Sequence, residues 1–148
     1  MEKRVESDLA GSIIEQFELK RQDIRTLSPL TLAFLGDNVF DLVIRTVIIQ
    51  EGNRPVNILH REKSLVVKAE SQAKIVTAIE QFFTGEEMAV YKRGRNAKSH
   101  TVPKNADVTE YRMATGLEAL IGYLYLKGDT ARILELIRYG IKELKAGK

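Results

Sequence analysis

The chain has 148 residues, with 23 Lys and Arg against 20 Asp and Glu, a net charge of +3 and 44% hydrophobic residues, a composition that excludes long disorder and predicts one domain with a real core. It has no cysteine, which excludes disulfides, thiol nucleophiles, iron–sulfur clusters and Cys-ligated zinc and leaves any metal to carboxylates or to His60 and His100. The opening MEKRVESDLA lacks an apolar core, and the most apolar stretch, 39–49, carries Asp41 and Arg45, so neither a signal peptide nor a membrane span is expected and a cytoplasmic location follows.

Apolar residues recur at three- and four-residue spacing nearly throughout, and no strand or hairpin signal competes, so the fold class is all-α. A weak first helix is expected over about 8–20, and residues 1–28 read as an amino-terminal extension to a domain spanning 29–148. Ser28 and Pro29 form an N-cap and N1 pair. The helix they open is apolar almost all round from Leu30 to Ile49 and stops at Glu51-Gly52, which predicts that it is central. Arg54-Pro55 opens a further stretch in which Ile58, Leu59, Leu65, Val66, Ala69, Ala73, Val76, Ile79 and Phe83 keep the helical period, as one helix or two. Thr84-Gly85-Glu86-Glu87 reads as a capping box that starts a short helix through Val90 and Tyr91. A long basic loop over 97–107 precedes a second strongly apolar helix, 109–126, stopped by Lys127-Gly128. Asp129 is the expected N-cap of a final amphipathic helix ending near Leu144.

Two of these helices carry acids among apolar residues. Gly36 and Asp37 fall in the middle of the first apolar helix, where glycine costs ~1 kcal/mol relative to alanine, so a close backbone neighbour is expected at Gly36. The alternative, a Gly-Asp-Asn turn, would split two apolar runs that share one helical phase. An acid buried in such a helix needs a partner, and Ala33, Asp37 and Asp41 share one face. Glu118 is the sole acid between Glu110 and Asp129, and the small residues Ala114, Thr115 and Gly122 three or four positions away allow another helix to pack closely beside it. Two carboxylates from two apolar helices suit a hard divalent cation bound through oxygen, whereas satisfaction by Arg45 or by backbone donors is the competing account. The charge is unevenly spread as well. No acid occurs over 88–106, a window holding Lys92, Arg93, Arg95, Lys98 and Lys104, which favours contact with nucleic acid over a merely solvated segment. Neither histidine has a partner at metal-binding spacing, and His100, inside the basic loop, falls on the nucleic-acid side.

With Leu35-Gly36-Asp37 and Leu117-Glu118-Ala119-Leu120-Ile121-Gly122 about eighty residues apart, the chain resembles the ribonuclease III catalytic domain. From about Leu30 to Leu144 it is most similar to the Mini-III branch, the compact bacterial form without an appended double-stranded-RNA-binding domain. The basic loop of that branch is matched by Lys92-Arg93-Gly94-Arg95-Asn96-Ala97-Lys98 and Pro103-Lys104-Asn105. The resemblance implies an all-helical homodimeric endonuclease that cuts double-stranded RNA with magnesium, or manganese in its place, and for this branch maturation of the large (23S) ribosomal RNA precursor. It implies Asp37 and Glu118 as catalytic metal ligands and Lys92, Arg93, Arg95, Lys98, His100 and Lys104 as RNA contacts. Phe34, beside the signature aspartate, is implied at the dimer interface, with ordinary core as the other reading.

The family pattern places a glutamate four residues before the aspartate and an aspartate three residues before the glutamate; Ala33 and Thr115 stand there instead. A thinned anionic set leaves more waters on a bound ion, which magnesium accepts readily. The alternative function is a non-catalytic RNA-binding or ribosome-associated protein on the same fold, separable by magnesium-dependent cleavage of a long duplex.

Overall fold

A computed structural model describes residues 8–98, 102, 104 and 106–147; every regular element among them is helical. Helix α1 (Leu9–Gln16) is capped by Asp8, whose carboxylate accepts from the Gly11 N–H. It ends earlier than the expected 20 because Glu18 turns left-handed at φ 54°, with the Leu19 and Glu18 N–H groups donating to the Ile14 and Glu15 carbonyls at 2.9 and 3.1 Å. That pattern is a Schellman turn built without glycine. Helix α2 (Pro29–Glu51) starts where Ser28 Oγ accepts from the Thr31 N–H at 3.2 Å and runs unbroken through 36–38, which eliminates the Gly-Asp-Asn turn. The next stretch is two helices, α3 (Val56–Val67) and α4 (Ala69–Ile79), separated by the extended Lys68 at ψ 156°.

Helix α5 (Gly85–Arg95) has both halves of its capping box, Glu87 N–H to Thr84 Oγ1 at 3.1 Å and Thr84 N–H to Glu87 Oε1 at 2.9 Å. It continues past Tyr91, so Lys92, Arg93 and Arg95 occupy its last turn, where cations complement the helix dipole, and do not lie in the loop. Helix α6 (Val108–Lys127) is capped by Asp107 and closed by Gly128 at φ 84°, and α7 (Thr130–Ala146) starts at the Asp129 cap.

The central element is α6, not α2. Nine consecutive or near-consecutive positions of α6, from Ala114 to Leu124, are buried, and α2, α4, α5 and α7 all pack on it. Helix α2 buries the stripe Leu32, Ala33, Gly36, Phe40, Ile44 and Ile48, while Leu30, Phe34, Leu42, Val47 and Ile49 stand exposed on its other side. An all-round apolar sequence cannot distinguish burial in its own core from an apolar face left outward.

The α2–α6 crossing is set by two glycines. A Cβ on Gly36 would lie 1.7 Å from the Glu118 carbonyl oxygen, and one on Gly122 would lie 2.0 Å from the Leu32 carbonyl oxygen. The two backbones therefore touch, and the helix-weakening cost at Gly36 is accepted for this approach. No helix among the described residues is long and apolar enough to cross a membrane.

Candidate active site

Because Gly36 rests on the Glu118 backbone, the residue that follows it is carried near the Glu118 side chain, close enough for the Asp37 carboxyl to act on that of Glu118. Their depths differ from the sequence expectation. Asp37 is exposed, since its position turns about 100° away from the buried Gly36 contact, whereas Glu118 is half-buried on the central helix. The need for a partner thus falls on Glu118. Burial raises the Glu118 carboxyl, opposed by the Gln72 amide and reinforced by the charge and hydrogen bond of Asp37, to about 7.

Arg45 does not supply that partner. Its Nε donates to Asp41 Oδ2 at 2.5 Å, and Lys63 Nζ lies 3.3 Å from Asp41 Oδ1, so Asp41 is a locally satisfied surface acid. The donor to Glu118 is an uncharged one from α4: Gln72 Nε2 reaches Glu118 Oε2 at 3.0 Å and the Val67 carbonyl at 2.8 Å. Among the described residues no cation pairs with Asp37 or Glu118, and no group of three His, Cys, Asp or Glu gathers anywhere. The centre consists of two acids with oxygen donors only. Ala33 is buried, and the Thr115 hydroxyl donates to the Tyr111 carbonyl at 3.0 Å. His60 is exposed on α3 and belongs to no ligand group.

One turn of α6 before Glu118, Thr115 forms part of a cavity of about 410 Å³ whose lining includes Arg95, Lys98, Tyr111 and Arg112. Arg95 is half-buried with its guanidinium 5.6 Å over the Tyr91 ring; Lys92, Arg93, Lys98 and Lys104 are exposed. Arg93 also reaches back to the Leu27 carbonyl at 3.4 Å. His100 lies outside the described residues. Phe34 is 77% exposed and so forms no part of this chain's core.

Arg112 and Gln72 are the residues that sequence reasoning passed over. Arg112, Thr115 and Glu118 recur every three residues along one side of α6, and Gln72 interrupts the apolar stripe Ala69, Ala73, Val76 and Ile79 of α4.

A model of the Ribonuclease III domain matches residues 30–129. Curated relatives named Mini-ribonuclease 3 are similar over most of their length. One from Thermoanaerobacter sp. (strain X514) is 42% identical over 95% of this chain and 99% of its own, and one from Enterococcus faecalis (strain ATCC 700802 / V583) is 45% identical over 83% and 95%. The crystal structure of a protein from Fusobacterium nucleatum superposes with a TM-score of 0.74 at 37% identity, covering 82% of this chain and 98% of that one. With its two signature acids on touching helices of this all-helical fold, the chain belongs to the ribonuclease III family of endoribonucleases.

Proposed function

We propose that this chain is a divalent-metal-dependent endoribonuclease that cuts double-stranded RNA as a twofold dimer, and that it acts in the cytoplasm on the large (23S) ribosomal RNA precursor. The observation that carries the catalytic part is the closeness of Asp37 and Glu118 where Gly36 rests on the Glu118 backbone: each carboxylate acts on the other, and among the described residues no cation pairs with either. Facing acids in a partly desolvated site favour either a shared proton or a bound cation. The donor set fits magnesium or manganese, since carboxylate oxygens suit hard cations and magnesium retains waters where protein ligands are few. When bound, such an ion supplies a water of lowered pKa and offsets the charge that develops on the phosphate and the leaving 3′ oxygen.

The chain's own residues do the rest. Asp37 and Glu118 are the residues that would hold the ion, beside the α2–α6 crossing. Arg95, Lys98 and Arg112 offer positive charge around the cavity beside Thr115, and Lys92, Arg93 and Lys104 are further exposed cations. A-form RNA presents phosphates and 2′-hydroxyls across a shallow minor groove, a surface that such side chains recognise by shape. The exposed apolar side of α2, with Phe34 at its most exposed point, suits the twofold contact that would set two such centres against the two strands.

The test is cleavage of a long RNA duplex by the purified chain. Cutting that appears with magnesium or manganese, disappears in EDTA, and spares the separated strands is expected. Duplex binding without cutting at any metal concentration would overturn the catalytic reading and leave an RNA-binding protein on the same fold.

A further inference from the structure

Helix α4 brings one buried amide to the acid pair. Gln72 is 2% exposed, and its two amide hydrogens are spent on the Glu118 carboxylate at 3.0 Å and the Val67 carbonyl at 2.8 Å. Both neighbours are acceptors, so the amide orientation is forced: turned over, it would oppose oxygen to oxygen and lose both bonds. The remaining atom, Gln72 Oε1, is buried with no hydrogen-bond partner.

That combination is a poor solution for packing alone. A leucine or methionine would fill the space without a desolvated acceptor, and buried polar atoms left unmatched are a recurrent mark of a functional constraint. What the amide adds, and an apolar side chain cannot, is a donor fixed at Glu118 Oε2. Its neutrality is the second point. A guanidinium or ammonium there would hold the carboxylate equally well but would cancel the charge that attracts a cation. An amide restricts the rotamers of Glu118 and leaves its negative charge available.

We infer that Gln72 is the positioning residue of Glu118, holding the carboxylate from α4 in the orientation that receives the divalent ion. This rests on the metal-centre reading given above. Gln72 touches neither RNA nor the ion in this proposal; it acts through Glu118, as partners behind metal ligands commonly do.

The experiment is a double-mutant cycle read by direct binding of Mn²⁺, without RNA, using the electron paramagnetic resonance signal of the free ion. Four full-length proteins are compared: wild type, Q72M, E118Q and Q72M/E118Q, each checked by thermal melting. The expected result is a three- to tenfold loss of Mn²⁺ affinity in Q72M, a larger loss in E118Q, and a double mutant within twofold of E118Q, because Gln72 has nothing left to position. Cleavage by Q72M should be partly restored by raised magnesium. Q72N, whose amide is one methylene short of Glu118, should follow Q72M and serves if Q72M does not fold. A Q72M protein with wild-type Mn²⁺ affinity, or an equal loss in both backgrounds, would overturn the inference and reduce Gln72 to a packing residue capping Val67. If E118Q binds Mn²⁺ as wild type does, the metal centre itself is wrong and the inference falls with it, an outcome distinct from the others.

Discussion

The buried carboxylate Glu87 and the half-buried Glu118 are treated in opposite ways. Glu87, at the corner where α5 meets α7, receives Arg132 through two parallel bonds of 2.8 Å, while the same guanidinium reaches the Phe82 carbonyl at 2.7 Å and Glu135 at 2.9 Å. The Arg132 hydrogen bonds hold the Glu87 carboxyl below its ordinary range despite burial. Glu118, at the α2–α6 crossing, receives one neutral amide and faces a second acid, and burial pushes it up to about 7. Burial alone therefore does not reveal what an acid is for; the charge of its donor does. A guanidinium makes Glu87 part of the frame, whereas an amide leaves Glu118 with a charge still to be neutralised.

The largest contrast should appear in catalysis. Asp37→Asn and Glu118→Gln each remove a ligand charge while keeping size, and each is expected to slow duplex cleavage at least ~1,000-fold, about 4 kcal/mol of transition-state stabilisation. Their metal-free melting temperatures should hold or rise, because two facing like charges have been separated. Single-turnover cleavage beside a thermal melt gives both numbers. A folded Asp37→Asn that cuts near the wild-type rate would remove the pair from the reaction.

Arg132→Met should do the reverse. It strands Glu87 without its cation, and breaking a largely buried pair costs roughly 3 kcal/mol, which in a chain of this size lowers the melting temperature by about 6–12 °C. Cleavage per folded molecule at low temperature should be unchanged. A loss of activity without a loss of stability would place Arg132 in the site and erase the distinction between the two corners.

Sequence periodicity was enough to read the helices, since caps and close packing leave local marks: Ser28-Pro29, the Thr84–Glu87 box, Asp129 and the glycine at 36 each act within four residues or announce a neighbour by being small. Asp37 and Glu118 were legible because each stands out among apolar neighbours. Their relative depth was not, because α2 is apolar on a face the single chain leaves exposed, so hydrophobic phase did not report burial. Nor were the partners of Glu118 and Glu87. Gln72 meets Glu118 across 46 residues, and Arg132 meets Glu87 across 45, pairings fixed only by how α4 and α7 cross the rest.

The opposite shifts of the two acids give opposite pH limbs to metal-free stability. Folded Glu118, raised from an ordinary 4.5 to about 7, binds more protons than it does unfolded, so its contribution is lost as pH rises across that interval, by at most ~3 kcal/mol. Folded Glu87 lies below its ordinary value, so the stability it confers is present above that value and is lost as pH falls through the folded one. Urea midpoints measured in EDTA from about pH 2 to 9 should show Glu118→Gln flattening only the limb between 4.5 and about 7 and Arg132→Met only the limb below 4.5. Magnesium should also flatten this upper limb of the wild type, and an upper limb unchanged in Glu118→Gln would show that burial does not raise this acid.

The smallest effects belong to the basic face, where they separate contact with RNA from contact within the chain. In an Asp37→Asn background, with calcium present and one RNA duplex titrated across a salt series, alanine at Arg95, Lys98, Lys104 or Arg112 should each lower the log–log salt slope by about one unit, the counterion-release expectation for one phosphate contact. Lys98 and Lys104, being exposed, should leave the melting temperature unchanged. Arg95, stacked over Tyr91, and Arg93, bonded to the Leu27 carbonyl, are anchored to the helical frame, so their alanine variants should also lose some thermal stability. Lys74 supplies the control, since it pairs loosely with Glu70 at 3.8 Å on α4 and lies outside the cavity beside Thr115. If the four substitutions leave the slope intact while Lys74→Ala lowers it, the RNA track runs over α4, and the cavity beside the carboxylate pair serves the fold instead of the duplex.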